Sequence, residues 1–127
     1  MQSLGIISGF QWVDGSFIEN IEASEKRSPN DIDVATFFGN LSMQAMGNIQ
    51  ASFPEFADPV LSKKNYYVDH YPVDYAYSPD NTVEFTRYWV QLFTHNRNRI
   101  WKGIIRLPIN TLNEDQQALQ FLNSLTI

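Results

Sequence analysis

Five residues carry types and spacings that could do chemistry together: Gly15 and Ser16, the pair Asp31 and Asp33, and Asp69. Side chains two apart on an extended segment project to the same side, so Asp31 and Asp33 can present their oxygens to one or two hard cations such as Mg2+. Those cations can in turn bridge a triphosphate. Gly15 permits close approach of the backbone to phosphate, and Ser16 adds an amide and a hydroxyl as donors. A later acid, Asp69, completes a carboxylate cage, with Asp74 as its close competitor. In a two-metal arrangement one ion activates an attacking hydroxyl and the other stabilises the departing pyrophosphate. Of the bases Lys63, Lys64, Arg97, Arg99, Lys102 and Arg106, Lys102 beside Gly103 is the candidate for contacting the triphosphate.

Each of these features has a plainer reading. A lone Asp-x-Asp is most often a solvated strand end, Asp14-Gly15 is a common turn dipeptide, and basic strand ends often serve only to discourage edge pairing. What makes them informative is their order along the chain. His70 and His95 stand alone, without a partner at metal-ligand spacing. The tyrosines Tyr66, Tyr67, Tyr71, Tyr75, Tyr77 and Tyr88, with Trp89, could stack a base, but packing is the commoner use of such a stripe. No oxyanion site announces a hydrolase triad, and a glycosidase pair built on Asp31 and Asp69 would lack room for a sugar cleft.

The elements that must position these residues can be read from pattern. Phe10-Gln11-Trp12-Val13 reads as a strand entering the tight turn Asp14-Gly15-Ser16. Ile18 to Asn30 is a polar, solvated connection. Asp31 to Phe38 reads as a strand carrying two carboxylates at its start. A helix is expected within Asn40 to Phe56, capped by Asn40 or Ser42 and ended by Pro54 and Pro59. Asn65 to Tyr77 reads as one extended segment, with Pro72 marking an edge or a bulge. Thr86 to Thr94 and Arg99 to Leu107 look like paired strands around His95-Asn96-Arg97-Asn98, although Val83 to Phe93 also admits a helix. Thr111 to Glu114 fits a capping box ahead of a final amphipathic helix bearing Leu112, Leu119, Leu122 and Leu125. The expected fold class is α/β in the α+β sense, a small mixed sheet with flanking helices and a C-terminal helix, and residues 1–127 read as a single domain.

The segments Trp12-Val13-Asp14-Gly15-Ser16-Phe17 and Pro29-Asn30-Asp31-Ile32-Asp33-Val34 resemble the signature of the DNA polymerase beta-like nucleotidyltransferase superfamily: a Gly-Ser turn, Asp-x-Asp on the next strand, and a third acid on a later strand. Tyr67-Val68-Asp69-His70-Tyr71-Pro72 and Lys102-Gly103-Ile104-Ile105 extend the likeness towards small bacterial nucleotidyltransferase-like proteins. The resemblance implies a nucleotidyltransferase palm, Mg2+, a nucleoside triphosphate, and transfer of a nucleoside monophosphate to a protein or RNA hydroxyl. Small members of the superfamily include antitoxins that modify a partner toxin and toxins that modify RNA, which implies a toxin–antitoxin or phage-defence setting. Carried over by position, Asp31, Asp33 and Asp69 would be the catalytic, metal-binding acids, and Gly15 and Ser16 would hold the triphosphate. Two departures stand out: the interval between Ser16 and Asp31 is long, and the helix that usually precedes the first strand is barely represented. They keep a second reading open, a non-catalytic module that retains the palm and acts by binding a partner protein or sensing a nucleotide.

Composition sets outer bounds. With 127 residues, 14% aromatic and 18% charged, the chain is globular and long enough to bury a core led by Phe, Tyr and Trp. It has no cysteine, so thiolate metal sites and a cysteine nucleophile are excluded. A formal net charge of −5 argues against gripping duplex DNA and favours a protein acceptor over long RNA. No apolar run approaches the roughly 20 residues needed to cross a bilayer. The first ten residues carry no pattern of a secretory signal, so a cytoplasmic location is expected. Oligomeric state is left open by the sequence.

Overall fold

The computed structural model describes residues 1–125. Four strands, β1 (Gly9–Asp14), β2 (Ile32–Phe38), β3 (Val68–Asp74) and β4 (Ile105–Pro108), form a mixed sheet in the order β3-β2-β1-β4. β1 is antiparallel to both β2 and β4, whereas β2 and β3 are parallel. Among the described residues five α-helices accompany the strands, besides three short 3₁₀ turns: α1 (Ile21–Ser24) between β1 and β2, α2 (Met43–Ser52) and α3 (Pro59–Tyr66) between β2 and β3, α4 (Pro79–Phe93) before β4, and the C-terminal α5 (Leu112–Ser124). The α+β class expected from the sequence is therefore observed. Among the described residues no helix is long and apolar enough to cross a membrane.

The two faces of the central strands feed two cores, as the alternation of a strand requires. Ala35 and Phe37 of β2, with Val73 of β3, meet Trp89 and Phe93 of α4, and Phe10, Trp12 and Tyr71 pack against them. Phe38 points the other way, joining Ile49 of α2, Phe56 and Ile6. Aromatic contacts knit both layers: Trp12 and Phe37 ring centroids lie 4.6 Å apart in the first core, and those of Phe38 and Phe56 lie 5.3 Å apart in the second. Since Asp31 and Asp33 share the parity of Ala35 and Phe37, and Asp69 that of Tyr71 and Val73, the acids fall on the face covered by α4.

Several local expectations need correction. Of the two readings of this stretch the helical one holds: Thr86 to Phe93 lies inside α4 and Thr94 is its C-cap, so Thr86 to Thr94 is not a strand. Ser78 caps that helix by accepting from the amide of Asn81, and Pro79 opens it. The half-buried Thr82 and Thr86 and the buried Trp89 and Phe93 form a stripe at helical intervals. Packing against the sheet outweighs the strand preference of Val, Phe, Tyr and Trp here. Of Arg99 to Leu107, only the end enters β4, and it pairs with β1, while His95 and Trp101 form an isolated antiparallel bridge. Pro59 does not only end structure; it starts α3, with Asp58 accepting from the amides of Val60 and Leu61. The polar connection before β2 contains α1, whose Ile21 is buried. Thr111 makes no capping box: its hydroxyl donates to the Asp115 carboxylate instead.

Other expectations match. Ser42, one of the two proposed caps, accepts from the amide of Ala45 at the start of α2. β3 is an edge strand, as Pro72 suggests. The amide of His70 donates outward to Ser62 Oγ, which itself donates to the carbonyl of Val68, so alternate residues of β3 face α3 rather than β2. Pro72 has the same parity as His70. Its missing N–H therefore removes no bond from the β2–β3 ladder.

Candidate metal centre

The site is assembled at the end of the sheet where β1 finishes and β2 and β3 begin. Parallel pairing sets Asp33 beside Asp69, and antiparallel pairing sets Asp14 beside Asp33. Asp31 precedes β2 by one residue. One carboxylate oxygen from each of Asp31, Asp33 and Asp69 lies within 4.8 Å of the others. Mg2+ binds oxygens at about 2.0–2.1 Å and so holds its ligands about 3 to 4 Å apart, a spacing reached from here by small side-chain rotations. Three hard carboxylate oxygens suit such a cation.

Gly15 adds a second fit. Its φ of 104° lies in the region that favours glycine, and a Cβ there would sit 3.2 Å from the Asp33 amide nitrogen and 3.3 Å from Asp33 Oδ2. The absent side chain leaves that carboxylate room. Ser16 follows at the head of a short 3₁₀ turn, Ser16–Ile18, and faces the same cleft. This open cleft, of about 1050 Å³, is lined by Gly15, Ser16, Asp31, Asp33, Lys63 and Arg97 among others. A separate hollow of about 690 Å³ between the N-terminal segment and α5 lies apart from the acids.

The charges within the site are unequal. Burial pushes the Asp33 carboxyl above its ordinary value, and the neighbouring charges of Asp31, Asp69 and Asp14 push it further. Asp31 is held below the ordinary value, first by its bond to Lys63. Lys63 Nζ lies 2.7 Å from Asp31 Oδ2 and donates to Asp69 Oδ2 at 3.0 Å, and the two carboxylates raise its own pKa. Sequence reasoning counted Lys63 among six bases without assigning it. Finding it would have required recognising α3, which the prolines concealed.

Lys102, the favoured phosphate contact, is at the cleft but already engaged. Its Nζ is 3.1 Å from Asp14 Oδ1 and 3.9 Å from Glu19 Oε2. Asp14 is almost fully buried, and burial raises its pKa while Lys102 opposes the rise. Asp14 and Glu19 were both missed by sequence reasoning, because Asp14-Gly15 reads simply as a turn. Asp74 sits at the far end of β3, where it accepts from the amide of Ala76, so of the two competing acids only Asp69 joins Asp31 and Asp33.

His70, Arg106 and His95 have structural partners. His70 is buried, with Nδ1 2.8 Å from the Phe56 carbonyl oxygen and Nε2 2.6 Å from Thr36 Oγ1. Arg106 lies over the ring of Phe10. His95 stacks on Trp101, with centroids 3.9 Å apart. The tyrosine stripe divides: Tyr71 packs on Trp89, whereas Tyr66, Tyr67, Tyr77 and Tyr88 are exposed.

A profile of the DUF6932 family, a family of unknown function, matches residues 1–108. The chain belongs to DUF6932. The match takes in all four strands and every residue of the acid site, and it ends at Pro108, ahead of α5. No curated protein and no solved structure matches this DUF6932 chain.

Proposed function

We propose that this DUF6932 protein is a Mg2+-dependent nucleotidyltransferase-like domain that moves a nucleoside monophosphate from a nucleoside triphosphate to a hydroxyl of a protein or RNA. The observation that carries the reading is the convergence of Asp31, Asp33 and Asp69, of which Asp31 and Asp33 line the same cleft as the Gly15-Ser16 turn. Bound divalent metal would supply charge neutralisation for the triphosphate and activation of the attacking hydroxyl. Asp31, Asp33 and Asp69 would hold it. The Gly15-Ser16 backbone, open on the cleft side, orients the phosphate chain, with the Ser16 hydroxyl as a donor. Asp14 and Glu19 hold the Lys102 ammonium beside that turn, where it offsets part of their negative charge. The hydroxyl oxygen bonds to the α-phosphorus as its proton passes to water, the bond from that phosphorus to the bridging oxygen breaks, and pyrophosphate departs.

An acidic chain suits a protein acceptor, and a role as an antitoxin-like or defence protein rests on the superfamily resemblance alone. A cytoplasmic setting is part of the same reading. The test is transfer of label. Incubation with each α-labelled or γ-labelled ribonucleoside triphosphate, Mg2+, and bacterial protein or RNA should place the α-label, and never the γ-label, on a macromolecule. Label from the γ-position on the product would contradict the proposed reaction.

A second reading is favoured by one observation. α5 buries none of its residues, and Leu112, Leu119, Phe121, Leu122 and Leu125 are all more than half exposed. Such a face suits a module that works by holding a partner. In that case partner binding would survive Asp33→Ala and need no metal.

A further inference from the structure

Lys63 is a cation placed where the site needs one. Its ammonium spans Asp31 and Asp69, at 2.7 and 3.0 Å. α3, which carries it, is locked to β3 through the paired bonds of Ser62 to Val68 and His70, so the lysine stem starts from a fixed point. The side chain itself is 54% exposed, and it lines the same cleft as Asp33. The ammonium end reaches solvent although its two carboxylate partners are about four-fifths covered, and its long flexible stem lets it leave them for water. Asp33, the third acid, makes no ion pair with the described residues and stays open beside Gly15.

We propose that Lys63 is a displaceable internal counter-ion, which competes with the divalent cation for Asp31 and Asp69 and swings into the cleft when the cation binds. The proposal rests on the metal-site reading above and adds a regulation to it. With Lys63 in place, two of the three carboxylates are already engaged and one of their charges is offset, so free metal must first displace the ammonium. A metal–triphosphate complex supplies both the replacement cation and, in its phosphates, a new partner for the released ammonium. The site is thereby biased towards the loaded nucleotide over free metal.

The test uses Mn2+ as the probe, without nucleotide. Free Mn2+ is measured by electron paramagnetic resonance during titration of the wild-type protein, Lys63→Gln and Lys63→Arg. In parallel, the acetylation rate of Lys63 in the wild type is followed by mass spectrometry with and without Mn2+. Lys63→Gln should bind Mn2+ about tenfold more tightly than wild type, in keeping with the modest worth of an ion pair whose ammonium reaches solvent. Lys63→Arg, which keeps the charge, should stay near wild type, and Mn2+ should speed acetylation of Lys63. Wild-type binding with equal or weaker binding by Lys63→Gln would overturn the counter-ion role and leave the metal site standing. Absence of Mn2+ binding by all three proteins at millimolar concentration would remove the metal site, and the counter-ion role with it.

Discussion

Asp33 is the residue whose environment works against its own charge. It is held among Asp14, Asp31 and Asp69 and partly desolvated, so its folded pKa lies above the ordinary carboxylate value. A raised carboxylate stabilises the fold fully below its unfolded pKa, and that contribution is lost as pH rises through the folded value. The metal-free protein should therefore be strained at neutral pH by Asp33. Asp33→Asn should raise the midpoint of thermal unfolding by a few degrees at pH 7, with the gain fading towards pH 4 and removed by millimolar Mg2+, which protects only the wild type. Scanning calorimetry across that pH range would check it; an Asp33→Asn protein less stable than wild type at pH 7 would count against the electrostatic account. Gly15 makes the complementary case. Gly15→Ala places a Cβ against Asp33 in a backbone conformation alanine avoids, and should cost about 1 kcal/mol or more while weakening cation binding. His70 titrates with the opposite sign. Burial lowers its pKa, so its contribution is intact above the ordinary histidine value and is lost as pH falls through the depressed one. His70→Gln, compared with wild type by chemical denaturation, should flatten the loss of stability below about pH 6.5.

At the scale of elements, what could be read from the sequence depended on how local the signal was. β1 and the start of β2 were legible because short apolar alternations ended in turn residues, and the edge position of β3 was legible because proline tolerates few other places in a sheet. Asp31 and Asp33 were legible for the same reason, whereas the choice of Asp69 over Asp74 came from the superfamily resemblance. α4 is ambiguous in the sequence, with the strand reading preferred over the helix, because its Tyr, Trp, Val and Phe favour strands, and the buried positions Trp89 and Phe93 that settle its period are meaningful only against the sheet. α3 was hidden by a proline that opens a helix as readily as it closes one. That omission removed Lys63 from the site, which no spacing rule could restore. Phe93, 1% exposed at the end of α4, joins the core to the cleft wall. Phe93→Ala should lower stability by about 3–5 kcal/mol, measurable by urea unfolding, whereas truncating the exposed Phe85 on the same helix should cost far less. Equal losses would mean that α4 does not pack as described.

For the whole molecule, the sheet order explains why residues 14, 33 and 69 meet. β2 lies between β1 and β3, antiparallel to one and parallel to the other, so the end of β1 and the starts of β2 and β3 coincide. Helices α2 and α3 are the crossover that parallel pairing demands, and their position brings Lys63 back to the acids. The acidic balance of the chain opposes long nucleic acids but not a triphosphate delivered with its cation. The claim at the centre is that nucleotide binds through metal held by these carboxylates. It is tested most directly by calorimetric titration with the four ribonucleoside triphosphates, with and without Mg2+, on the wild type and on Asp31→Ala/Asp33→Ala. Binding of at least one triphosphate that requires both Mg2+ and the two acids is the expected result; binding that persists without either, or none at millimolar nucleotide, would contradict it.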